Sequence, residues 1–167
     1  MSRFVRMLSA IASAWSRWHP GARPLAEGAA LPAVTQRDQD GNCVDLAAAT
    51  TGYVLVYFYP KADTPGCTKQ ACSLRDAFAN LSEKGVQVFG VSTDSLKAQK
   101  AFKAKYHLPF ELLADVDGTL TRAFGVPRTL GFAKRQAFLF HDGKLIWRDL
   151  AAATAQQAAD VLTVINR

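Results

Sequence analysis

The chain has 167 residues, 49% apolar and 20% charged, which fits one compact domain with an ordinary core and a short appendage. Its formal charge of +6 is no nucleic-acid signature: Arg3, Arg6, Arg17 and Arg23 precede the first acidic residue, Glu27, and removing those four leaves about +2, with no basic stripe interleaved with aromatics. Three cysteines are too few and too odd in number for a secreted disulfide scaffold, which favours a reducing compartment, the cytoplasm.

The first segment, "MSRFVRMLSAIASAWSRWHPGA", has a basic start, an apolar stretch and an Ala12-Ser13-Ala14 that resembles a processing site. Its apolar run falls short of the roughly 7 to 15 residues of a secretory signal and of the ~20 of a membrane span. Residues 1–22 are therefore expected to be a basic leader, flexible or weakly membrane-associated, with export as the alternative. Pro20, Gly21 and Pro24 end any helix there, and the domain is expected to run from 23 to 167.

"AVTQRDQDGNCVDL" reads as two short strands around Asp40-Gly41, a dipeptide that supplies the positive φ of a tight hairpin. "YVLVYFY" is a near-continuous apolar run, as in a strand covered on both faces. After Pro60 the period changes: Cys67, Ala71, Leu74, Phe78 and Leu81 form one stripe of a helix ending near Gly85. "VQVFGVS" is the next strand, and Asp94 or Ser95 caps a helix whose Leu96, Phe102 and Tyr106 face the sheet. "FELLAD", a short helix over 120–124, "QAFLFH", an Asp142-Gly143 turn, "KLIWRDL" and a terminal helix from about Thr154 complete the order. The alternation predicts an α/β domain of thioredoxin-like outline, with a mixed central sheet and helices on both faces.

The chemistry concentrates in "YFYPKADTPGCTKQACSLRD". Thr64 stands at an N-cap position, Pro65 where a first helical residue needs no N–H, and Gly66 allows close backbone approach. Cys67 then falls in the first turn, where unpaired N–H groups and the helix dipole favour a thiolate over a thiol.

Pro60, Thr64 and Cys67 in this spacing resemble the peroxiredoxin active-site pattern, and the whole stretch resembles the bacterioferritin-comigratory-protein type, with a second cysteine at position 72. "GVSTDS", "LPFELLADVDG", "FGV" and "FLFHDGK" extend the likeness from about Pro24 to the end. The resemblance implies a thioredoxin-dependent peroxidase for hydrogen peroxide and organic hydroperoxides, working as a monomer. Cys67 would become a sulfenic acid, Thr64 would orient the peroxide, Pro60 would shield the thiolate, and Arg135 in "RQAF" would face it, with Arg128 the rival. Ala137 departs from the family's hydroxyl residue.

Cys72 would resolve the sulfenic acid as a 67–72 disulfide. On an ideal helix the two α-carbons lie about 140° and roughly 8.7 Å apart, while a disulfide needs no more than about 7 Å. The helix must therefore unwind locally in each cycle. Two other readings compete: a thioredoxin-like disulfide oxidoreductase, against which the missing Cys-x-x-Cys weighs, and a non-enzymatic holdase or membrane-associated binder using the leader. Cys43 and the scattered His19, His107 and His141 make no zinc spacing, there is no phosphate loop, and neither cofactor nor metal is expected.

Overall fold

The structure, a computed structural model, describes residues 23–167, so the expectations for the leader and for His19 lie outside the described residues. Thr35–Arg37 (β1) and Cys43–Asp45 (β2) pair antiparallel, with Arg37 opposite Cys43 as the last pair. The loop is longer than the tight turn expected at Asp40-Gly41. Its cause is Asp38, whose carboxylate accepts the backbone N–H groups of Asp40 and Asn42, both at 2.9 Å, so the chain wraps around that side chain.

The remaining elements alternate. Tyr53–Phe58 (β3) leads to helices Pro65–Asp76 (α1) and Phe78–Glu83 (α2), then Val86–Ser92 (β4) and Leu96–Tyr106 (α3). Glu111–Ala114 (β5) and Thr119–Ala123 (α4) follow, then a small hairpin of Arg128–Thr129 (β6) and Phe132–Ala133 (β7). Gln136–His141 (β8), Lys144–Asp149 (β9) and Gln157–Ile165 (α5) close the chain. The main sheet runs β5-β4-β3-β8-β9; β3, β4 and β5 are parallel, while β8 and β9 are antiparallel to their neighbours.

The apolar run of β3 puts it at the centre of this sheet. Leu55 and Tyr57 pack with Leu74, Leu81, Phe102 and Val161 on one face; Val54, Val56 and Phe58 pack with Leu120, Phe124 and Phe138 on the other. Helices thus cover both faces, as expected.

Two further expectations need correction, and one element was not anticipated. The single stripe after Pro60 is two helices, because Ala77 takes φ −92°, ψ 0° and its N–H is shared between Arg75 and Ser73, kinking the axis before Phe78 turns onto Phe110. The terminal helix begins at Gln157 rather than Thr154, residues 154–156 forming a turn ahead of it. The β6–β7 hairpin, turned by Leu130 and Gly131 at positive φ, carries no alternation that sequence periodicity could register.

Ser95, rather than Asp94, caps α3 by accepting the N–H of Ala98. A second cap comes from Asp115, fully buried at the end of β5, whose carboxylate accepts the N–H groups of Leu120 at 2.8 Å and Thr121 at 2.9 Å. Burial pushes this carboxyl up despite its donors, so the folded state holds the proton more tightly than the unfolded one. The contribution of that proton to stability is complete below the ordinary carboxylate pKa and is lost as pH rises through the raised value. Asp115→Ala strands two buried donors and is expected to cost about 3 kcal/mol in urea unfolding at neutral pH.

Candidate active site

The chain leaves β3 through a loop fastened on both sides. Asp94 accepts the N–H of Ala62 at 2.8 Å and the Ser92 hydroxyl at 2.7 Å, which ties the loop to the end of β4. Asp63, in the left-handed region at φ 57°, is held by Lys105 Nζ at 2.8 Å and the Tyr106 hydroxyl at 2.7 Å on α3. Those two donors hold the Asp63 carboxyl below its usual range. Pro60 lies half-buried at the start of the loop.

Thr64 occupies the N-cap position of α1, with Pro65 first in the helix, but its side chain makes no capping bond. Its hydroxyl donates backwards to the Lys61 carbonyl at 2.8 Å. The first-turn N–H groups are therefore left to the site, and the hydroxyl oxygen keeps lone pairs for an incoming donor.

Cys67, 1% exposed, stands in that first turn with its sulfur reduced. Arg135, just ahead of β8, brings Nη2 to 3.5 Å from Sγ, while its Nη1 donates to the Gln70 side-chain carbonyl. Arg128 is elsewhere, its guanidinium lying so close over Gly118 that a Cβ there would collide with it. Ala137, opposite Tyr57 in the sheet register, offers no hydroxyl, and Gln70 is the group that holds the far side of the guanidinium. Beneath lie Tyr57 and Tyr59, both inaccessible, whose phenols burial pushes well above their ordinary range. The floor is thus neutral, and the guanidinium is a charged group held at 3.5 Å from the sulfur.

Gly66 has a geometric reason to be glycine: a Cβ there would sit 3.0 Å from Arg135 Nη2. Gly66→Ala is expected to gain up to about 1 kcal/mol of helix propensity, yet to slow thiol oxidation by peroxide about tenfold by displacing the guanidinium. Urea unfolding and rapid-mixing oxidation of the same sample separate the two effects.

Cys72 lies further along α1, half-buried and reduced. Cys43 is exposed on β2, and His141 ends β8 stacked on Tyr53 with centroids 4.3 Å apart. A surface cavity of about 310 Å³ lined by Gln36, Arg37, Leu96, Ala114, Val116 and Asp117 contains none of these site residues. Among the described residues no helix is long and apolar enough to cross a membrane.

Sequence reasoning missed Gln70 and Gln157, which are 0% and 1% exposed. A signal for the first existed: Gln70 falls on the Cys67–Leu74 stripe, three residues after the cysteine and four before Leu74. Nothing in the local pattern marked Gln157.

A first-turn cysteine faced by an arginine, at the carboxyl end of a central strand in a mixed five-stranded sheet, defines a thiol-chemistry site on a thioredoxin-like frame. The AhpC/TSA family profile matches residues 28–148, and the chain belongs to that family. Within it the chain is a peroxiredoxin of the bacterioferritin-comigratory or peroxiredoxin Q type. It is 45% identical over 106 residues to the chloroplastic peroxiredoxin Q of Oryza sativa subsp. japonica, an alignment covering 64% of this chain and 49% of that one. Peroxidoxin BcpB from Mycobacterium tuberculosis superposes with a TM-score of 0.80 at 30% identity, covering 85% of this chain and 97% of the other. The bacterioferritin comigratory protein of Xanthomonas campestris superposes at 0.77 with 29% identity, covering 85% and 96%. The matched region spans about half the length of the curated relatives that the chain resembles.

Proposed function

We propose that this chain is a thiol-dependent peroxidase that reduces hydrogen peroxide and organic hydroperoxides through Cys67. The observation that carries the reading is the 3.5 Å approach of Arg135 Nη2 to the buried Cys67 sulfur in an uncapped first helical turn. Family membership supports it, as does the alkyl peroxide reduction activity named for the Xanthomonas campestris neighbour.

The Cys67 thiolate attacks the hydrogen-bearing oxygen of the hydroperoxide; the S–O bond forms, the O–O bond breaks, and the alkoxide or hydroxide leaves and takes a proton from water. Thr64, its hydroxyl donating to the Lys61 carbonyl, accepts the peroxide O–H, while Arg135 and the free first-turn N–H groups stabilise the charge developing across the two oxygens. Pro60 shields the sulfur from solvent at the mouth of the loop. Cys72 then displaces water from the sulfenic acid, giving a 67–72 disulfide, and thioredoxin or a similar dithiol reduces it. Both sulfurs belong to one helix, so the cycle needs no second copy, and we read the protein as a monomer. Three cysteines, too few and too odd in number for a disulfide scaffold, fit the cytoplasm, with residues 1–22 a leader outside the catalytic domain, 23–167.

One equivalent of hydrogen peroxide is expected to remove two hydrogens from the intact mass and to join the peptides carrying Cys67 and Cys72. Consumption should then continue with thioredoxin, its reductase and NADPH. Thiols that remain unmodified after minutes with excess peroxide would overturn the assignment.

A further inference from the structure

Behind Arg135 runs a chain of buried amides that the peroxide chemistry does not use. Arg135 Nη1 donates to Gln70 Oε1, and Gln70 Nε2 donates to Gln157 Oε1 at 2.7 Å. The orientation of both amides is forced from one end. A guanidinium can only donate, so Gln70 must face it with its carbonyl, must turn its NH₂ toward Gln157, and so requires the Gln157 carbonyl as acceptor. This leaves Gln157 Nε2 buried without a hydrogen-bond partner among the described residues, an unfavourable arrangement that an apolar side chain would avoid. The Ser73 hydroxyl adds a parallel tie, donating to the Ala155 carbonyl at 3.1 Å just ahead of α5.

Gln70 lies between the two cysteines, inside the segment that must unwind before their sulfurs can meet. We propose that Gln157, on the terminal helix, is a positioning residue for both halves of the cycle: through Gln70 it keeps Arg135 on the Cys67 sulfur and keeps α1 wound. Closure of the disulfide must break the Gln70–Gln157 bond, so this contact sets how often the helix opens after oxidation. The proposal rests on the peroxidase reading only for its second half, since the bond restrains α1 whatever the sulfur does.

The test uses the full-length reduced protein and Gln157→Met, which keeps the volume and removes the acceptor. Amide hydrogen exchange at residues 68–73 is expected to accelerate about fivefold, the factor for losing one ordinary buried hydrogen bond, while the amides of β3 and β4 keep their wild-type rates. In rapid mixing with hydrogen peroxide, Cys67 oxidation should slow about threefold and the following 67–72 closure should quicken about fivefold, lowering the sulfinic acid formed at a given dose. Adding Gln157→Met to a Gln70→Met protein should change neither rate further, because Gln157 acts only through that side chain. Unchanged exchange in 68–73, acceleration shared equally by β3 and β4, or a full additional effect in the Gln70→Met background would each overturn the proposal. Failure of the peroxidase reading would look different: the wild-type thiols would not be oxidised, while the exchange result would stand by itself.

Discussion

Cys67→Ser is expected to abolish peroxide turnover, by at least about a thousandfold in a thioredoxin-coupled assay. The substitution changes one atom in a site that is 1% exposed, so the fold and the Arg135–Gln70 contact should survive it. The chemistry should not, for two reasons. A serine hydroxyl stays protonated near neutrality where a thiol can ionise, and its attack on a peroxide oxygen would only make another weak O–O bond, so nothing would be reduced. Cys72→Ser gives the contrasting result: one equivalent of peroxide consumed in a burst, a sulfenic acid detectable at Cys67 by a trapping reagent, and no recycling by thioredoxin. Equal slow turnover in the two variants would show that Cys67 is not the nucleophile.

Arg135→Leu is expected to lower the rate of Cys67 oxidation by about 100- to 1000-fold, the range for removing one preorganised donor aimed at developing charge. The neutral surroundings make the loss severe, for the two buried phenols below the sulfur offer no substitute cation. Arg135→Lys should recover only part, remaining about tenfold below wild type. An ammonium supplies the charge but not the planar fork that reaches Sγ with one nitrogen and Gln70 with the other. Arg128→Leu is the control and should oxidise at the wild-type rate, because that guanidinium lies over Gly118 instead. Rapid mixing of reduced protein with hydrogen peroxide, followed by mass analysis, measures all three.

Much of this molecule could be read residue by residue. The apolar run of β3, the shift to helical spacing after Pro60 and the Thr64-Pro65-Gly66 entry to α1 each have a local physical cause, set by side-chain burial, proline's missing N–H and glycine's bare backbone. The first-turn position of Cys67 and the helix entry before it were legible for that reason: both lie within a few residues of one another. The choice of Arg135 over Arg128 was only favoured by the motif and needed the packing, because a guanidinium seven residues away in sequence reaches a different glycine.

The kink at Ala77, the loop wound around Asp38 and the late start of α5 were not legible, since apolar periodicity does not register local backbone hydrogen bonds and turns of this kind. The sequence by itself determined where a reactive sulfur could arise, because a helix start and its orphan N–H groups are local properties of a few adjacent residues. Only the tertiary structure decided what faces that sulfur and what holds the helix: Arg135 is 68 positions away from Cys67, and Gln157 is 87 away from Gln70. No short-range periodicity carries information about such pairs: the first forms only once the segment ahead of β8 lies beside α1, the second only once α1 and α5 have packed on the same face of the sheet.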